Sequence, residues 1–254
     1  MRVFASRRKR VIGVLSVLAV AAVLELYARR IDGFVVRPLA LSQDTRTVVL
    51  IFHGSKDGDD PLLDEIAAAW PTAANASARA AVINYNWSDG ADHRVRAAAN
   101  GRYLGDVLGG ELAQLTALES VVLVAHSDGA AVPDALCSAY RQAASKPARI
   151  EMIFLDPFGI RGFFDWGFGA RAYGECADFE LAYLNTDDPA PATNSALHRA
   201  FNIDITRVPP PESFARNGHY WPLEYFAARL RAGDLPRRDH AVNPRGDRVI
   251  ASVE

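Results

Sequence analysis

Short unbroken apolar runs punctuate the chain at Thr47–Phe52, Ala81–Tyr85, Val121–Ala125, Ile150–Leu155 and Phe179–Leu184, with Phe201–Val208 as a sixth. Runs of this length without polar alternation fit strands buried on both faces of a parallel sheet. Between them the pattern becomes helical over Pro61–Trp70, with proline at a first-turn position, over Val95–Leu118 and over Gly129–Ala144. A last helix, Pro222–Arg231, closes the series. Strands alternating with helices predict βαβ units, hence an α/β fold with a mostly parallel central sheet and helices on both faces. One stretch breaks the alternation. Phe158 to Ala177 holds Phe158, Phe163, Phe164, Trp166, Phe168 and Tyr173 among five glycines, with no clean period. It reads as a short aromatic lid between two strands.

The N-terminus follows another rule. Arg2, Arg7, Arg8, Lys9 and Arg10 precede an apolar run from Val11 to Leu24, about 14 residues, extended to Leu26 if Glu25 is tolerated. That lies between a signal-peptide core of about 7–15 residues and a membrane span of roughly 20. Ala19-Val20-Ala21 offers a small-x-small cleavage site. Residues 1–30 are therefore expected to be a signal peptide or an N-terminal membrane anchor. The positive cluster stays on the cytoplasmic side and the rest is exported, to the periplasmic side of the envelope or beyond. Residues 31–46 read as a linker, 47–235 as the folded α/β domain, and 236–254 as a polar, poorly ordered tail.

Half the residues are hydrophobic, enough for a full core, and the net charge is -2 with acids and bases interleaved beyond the first 30 positions. This argues against a nucleic-acid partner, which needs a basic face. Export changes the reading of the only two cysteines, Cys137 and Cys176. An oxidising compartment would permit a disulfide, while two buried thiols are the alternative.

The strongest chemical signal is residues 121–130, Val-Val-Leu-Val-Ala-His-Ser-Asp-Gly-Ala, where a buried strand runs into a helix through Ala125-His126-Ser127-Asp128-Gly129. A nucleophile elbow turns so sharply that only small residues fit two before and two after the serine, here Ala125 and Gly129. Such an elbow defines the α/β-hydrolase fold, with Ser127 as nucleophile and the Asp128 N–H as an oxyanion donor. His53-Gly54-Ser55, after the first strand, would supply the second donor from the Ser55 N–H, with His53 shaping the loop. A serine hydroxyl needs a base oriented by a carboxylate. His219, in Asn217-Gly218-His219-Tyr220-Trp221-Pro222 before the closing helix, stands where that base belongs. His126 would point away from the hydroxyl, His198 precedes a strand, and His240 lies in the tail. Asp156 ends one strand, and Asp187 and Asp188 end the next, so the acid is open between them. No metal set stands out, since there is no helical His pair and no Cys-x-x-Cys, and no cofactor is required.

Several short pieces resemble the pancreatic-lipase family over roughly residues 48–226: Asn84-Tyr85-Asn86-Trp87, Ala98–Asn100 with Gly105, His126-Ser127-Asp128-Gly129-Ala130, Leu155-Asp156-Pro157, Ala177-Asp178-Phe179, and His219 with Tyr225-Phe226. The likeness departs at Ala125, at Asp128 where the family has leucine, and at the family's C-terminal β-sandwich, which has no counterpart here. The resemblance implies Asp156 as the acid, with Asp188 the alternative. It implies a serine esterase or lipase acting on small-molecule or lipid esters; membrane association through residues 11–26 is expected from the apolar N-terminal run instead. A peptidase or amidase on the same scaffold, or a non-catalytic hydrolase-like binding protein of the envelope, are the competing readings.

Overall fold

The computed structural model describes residues 2–73, 79–188, 190, 192–234 and 245–251, with the backbone alone over 2–10 and 71–73. Helix α1 (Arg2–Ala28) is followed by β1 (Thr47–Phe52), α2 (Pro61–Ala73), β2 (Ala80–Tyr85), the single turn α3 (Ser88–Ala91) and α4 (Ala97–Leu112). Strand β3 (Ser120–His126) runs into a 3₁₀ turn, Ser127–Ala131, and then α5 (Pro133–Ala143), β4 (Arg149–Leu155), α6 (Phe168–Ala172), β5 (Phe179–Leu184) and β6 (Phe201–Asp204). A second 3₁₀ turn, Gly218–Tyr220, leads into α7 (Trp221–Arg231), and β7 is Arg248–Ile250.

The strands form one seven-stranded sheet in the order β2-β1-β3-β4-β5-β6-β7, and every pairing is parallel. Alternate residues of the central strands point to opposite faces, and both faces are covered, which is why these segments carry no polar alternation. Val48, Leu50 and Phe52 enter one core with Leu104, Leu108 and Leu112 of α4 and Leu136 and Tyr140 of α5. Val49 and Ile51 enter the other with Leu63 and Ile66 of α2 and Leu223, Phe226 and Leu230 of α7. The fold is thus α/β with helices on both faces, as the sequence implies.

Helix α4 owes its close seat on α5 to Gly101, Gly105 and Gly109, one per turn on a single face. A Cβ on Gly105 would lie 2.6 Å from the Val132 carbonyl, and one on Gly109 would lie 2.3 Å from that of Leu136. The backbone of α4 therefore packs directly on the turn and helix that follow Ser127, fixing the elbow from behind.

Four expectations are corrected. The helix over Val95–Leu118 is confined to α4, with the turn α3 ahead of it. The sixth strand stops at Asp204 because Ile205–Val208 forms a turn closed by the Val208 N–H on the Ile205 carbonyl. The tail contributes an edge strand: Arg248–Ile250 pairs with Asn202–Asp204, while 235–244 lies outside the described residues. The segment 31–46 is no free linker. Leu39 is buried, Phe34, Val36 and Leu41 pack on the core, and Asn100 hydrogen-bonds both the backbone and the carboxylate of Asp32.

Cys137 on α5 and Cys176, just before β5, form a disulfide with Cα atoms 5.9 Å apart, closing the aromatic stretch onto the domain. A cross-link spanning 39 positions contributes about 4 kcal/mol in the chain-entropy account. Replacing both cysteines with alanine is expected to lower the melting temperature by on the order of 10 °C, read by thermal denaturation of oxidised protein. An unchanged melting temperature would mean the bridge does not form.

Candidate active site

Because all the strands are parallel, their C-terminal ends lie along one edge of the sheet, and the candidate residues of four successive loops meet there. Ser127 occupies the turn after β3 with φ 53°, a left-handed conformation that costs a non-glycine residue roughly 1–3 kcal/mol. The neighbours explain how it persists. Ala125 is fully buried between Phe52 of β1 and Phe154 of β4, and a Cβ on Gly129 would lie 2.5 Å from the Phe52 carbonyl. Only small residues fit both positions.

His219 Nε2 lies 2.8 Å from Ser127 Oγ. Its Nδ1 lies 2.8 Å from Asp156 Oδ2 and 3.0 Å from Asp188 Oδ2. The two candidate acids thus both reach the histidine, one from the end of β4 and one from beyond β5. Asp187, by contrast, is exposed. Asp156 is fully buried, sits at φ 46°, and accepts the Asn185 N–H. Asp188 accepts from Thr193 Oγ1 at 2.5 Å and from the Ala190 N–H. Asn185 ties the acid to the base, since its side chain also donates to the Gly218 carbonyl beside His219.

Burial pushes the Asp156 carboxyl up to about 7, against the hydrogen bond from His219 and reinforced by the Asp188 carboxyl. Asp188 is held below the usual range: its burial is outweighed by hydrogen bonds from His219, Asp156 and Thr193. Burial thus favours the neutral form of Asp156, while its hydrogen bonds favour the charged form of Asp188. Burial alone would lower His219, but its hydrogen bonds to Asp156 and Asp188 carry it up to about 9. This places a histidine nitrogen and two carboxylate oxygens within 4.8 Å of one another, a donor set the sequence pattern did not reveal. An Nδ1–H donating to the carboxylates leaves no lone pair at that nitrogen for a metal.

The oxyanion side is partly as expected. The loop carrying Ser55 packs tightly on the nucleophile: a Cβ on Gly54 would lie 2.8 Å from Ser127 Cβ. His53 shapes it. His53 Nε2 accepts the Trp87 N–H at 2.9 Å, Trp87 Nε1 donates to the His53 carbonyl, and His53 Nδ1 donates to the Gly54 carbonyl. The departure is Asp128. Its carboxyl is buried and raised to about 7 by that burial, and its Oδ1 has no partner among the described residues.

Sequence reasoning missed a supporting shell. His126, expected to point away from the Ser127 hydroxyl, lies beside His219 with ring centroids 4.8 Å apart and the rings tilted by 37°, and its Nε2 lies 3.3 Å from the His219 carbonyl. Asp57 lies 3.4 Å from His126 Nδ1 and accepts from the Tyr220 hydroxyl. Arg216 covers the Tyr220 ring at 3.5 Å and pairs with Asp60. His198 is exposed, with its N–H on the Ala170 carbonyl, and His240 lies outside the described residues.

No family profile matches the chain, and no curated protein matches it in sequence.

Two outcomes follow from this geometry. If the site acts as a serine esterase, Asp156→Asn and Asp188→Asn should each leave hydrolysis of a short p-nitrophenyl ester well above the floor. The double substitution should lose about 10⁴-fold in kcat, the loss produced by a misoriented histidine. Full loss from one single variant would make that residue the sole acid. A general base works only when unprotonated, so the raised His219 moves the acidic limb of the kcat/KM profile above the ordinary 6.5. Asp188→Asn should move that limb back down. Ionised Asp128 beside the oxyanion should bend the profile down on the alkaline side, and Asp128→Asn should remove that bend. Profiles unchanged in both variants would refute these assignments.

Proposed function

We propose that the protein is a serine hydrolase of the α/β-hydrolase fold that cleaves carboxylic esters through an acyl-enzyme. The observation that carries this reading is the continuous hydrogen-bonded chain from Ser127 Oγ through His219 to Asp156 and Asp188, built on a strained turn at the end of β3. The placement of the elbow after β3, of the acids after β4 and β5, and of the histidine between β6 and α7 supports the hydrolase reading of the parallel sheet. So does the resemblance to the pancreatic-lipase family.

In this mechanism Ser127 Oγ attacks the ester carbonyl while His219 Nε2 takes its proton. The carboxylates hold Nδ1–H and stabilise the imidazolium that forms. The developing oxyanion is received by the N–H groups of Asp128 and Ser55. His219 then returns the proton to the leaving alcohol, and water repeats the sequence on the acyl-enzyme. We further read α1 as a signal anchor. Val11–Ala28 is long and apolar enough to cross a bilayer, with mean hydropathy 2.3. Its last turns are docked on the domain, where Ala28 is buried and Arg96 lies 4.0 Å from the Tyr27 ring. The disulfide suits the oxidising side.

A fluorophosphonate probe should label the wild-type protein and not Ser127→Ala. That variant should lose on the order of 10⁴–10⁶ in turnover of a short p-nitrophenyl ester while melting at the same temperature. More than a tenth of the activity surviving in Ser127→Ala would reject the nucleophile. Loss of activity on chelation with EDTA, restored by a divalent ion, would favour a metal at His219 and the two carboxylates instead.

A further inference from the structure

Phe164 and Trp166 are 63% and 58% exposed, an unusual state for two large rings so close together on one loop. Their loop is not loose. Arg161 and Asp165 close it by a backbone bridge, Arg171 pairs with Asp165, and Trp166 Nε1 donates to the Phe163 carbonyl at 2.9 Å. Above all, the Phe163 N–H donates to Glu25 Oε2 at 2.9 Å, joining the loop to the apolar helix α1. Gly162, at φ 70°, permits the contact, because a Cβ there would lie 2.4 Å from the same carboxylate. Glu25 also pairs with Arg29.

This contact fixes the depth of the loop. Glu25 precedes Ala28 by three positions, so at about 1.5 Å per residue it lies about 4.5 Å along the helix from the point where α1 enters the domain. Around it Val23, Leu24 and Leu26 are exposed, as a helix surrounded by acyl chains requires. The loop thus reaches the level of the last turn of the apolar helix. There a bilayer presents its interfacial layer, the region that favours an aromatic ring with a polar edge. The Arg29 and Arg161 side chains both act on the Glu25 carboxylate, at a level suited to lipid phosphates.

We propose that Phe163–Trp166 is a membrane foot: Phe164 and Trp166 rest in the interfacial layer of the bilayer that α1 spans, on the exported side. The proposal rests on the anchor reading of α1 and is independent of the hydrolase reading. The foot also bears on the candidate active site. The Phe158 N–H donates to the Ser127 carbonyl at 3.0 Å, and Phe163 follows Phe158 by five positions. Five residues span at most about 18 Å, so the nucleophile is held within reach of the lipid surface. The loop expected to be a mobile lid is better described as a pinned strut with two rings turned outward.

The test uses the full-length chain in phosphatidylcholine vesicles whose acyl chains are brominated either near the headgroup or near the bilayer centre. Trp70, Trp87 and Trp221 are buried, so quenching by lipid bromine reports Trp166. Emission is expected to be quenched more by the shallow bromines than by the deep ones, and Trp166→Phe should abolish the difference. Protein that floats with the vesicles but shows no quenching beyond that of Trp166→Phe would overturn the foot while sparing the anchor. A blue-shifted but unquenched Trp166 would place the rings against protein, such as a second copy, and would overturn the foot in the same way. Protein that fails to float with the vesicles would refute the anchor and the foot together. None of these readings depends on ester hydrolysis.

Discussion

The left-handed turn at Ser127 is the constraint around which the candidate site is arranged. A strand buried on both faces must end, reverse into a helix within a few residues, and leave a hydroxyl at its apex. Nothing at residue 127 itself favours φ 53°; the surroundings impose it. Ala125 is clamped between neighbouring strands, Gly129 touches the end of β1, and the glycine face of α4 lets its backbone press on Val132 and Leu136 just beyond the turn. Each of these constraints is steric. The sheet and the helix behind it thus pre-position the serine before any polar interaction is made.

The second organising feature is electrostatic. Two carboxylates facing one imidazole in a buried site cannot all carry charge independently. The buried Asp156 favours its neutral form, which lowers that burden, and the hydrogen bonds from Asn185, Thr193 and Ala190 hold the oxygens in place. The histidine gains two supports where a triad needs one. A raised base is a stronger proton acceptor but is less often free at neutral pH. In the proposed reaction this pair alone would shift the working pH upward. His126, Asp57 and Tyr220 support the histidine, since the His126 ring lies 4.8 Å from it and reaches its backbone carbonyl.

The strands were legible because burial on both faces removes polar alternation, and β1 to β5 begin and end within a residue of the apolar runs. Strand β7 was not legible: Arg-Val-Ile is short, exposed, and paired only along one edge. The elbow and His219 could be read because each follows from position in the chain and from steric need. The acid could not, because β4 and β5 are neighbours and an aspartate follows each, Asp156 directly after β4 and Asp188 four residues beyond β5, so geometry alone decides that both reach the ring. Asp57 and Tyr220 escaped for a different reason. They lie 163 positions apart, and no local pattern announces a contact of that range. For the cysteines, the sequence offered only the alternatives of a bridge or two thiols, and their meeting depends on how the aromatic stretch folds back on α5.

Asp128 is where this site parts from the lipase pattern it resembles. Leucine at that position would be indifferent to an oxyanion; an ionised carboxylate would oppose one. Burial opposes the charge, since a carboxyl only 5% exposed with an unpartnered Oδ1 is driven toward its neutral form. A neutral carboxyl removes the charge that would oppose an oxyanion in the proposed reaction. The base requires a lost proton and Asp128 a retained one, so the two groups press on the working pH from opposite sides. That opposition follows from one substitution next to the nucleophile, in a loop whose backbone is otherwise set by sterics. It makes residue 128 the point at which this scaffold exchanges an inert wall for a titrating one.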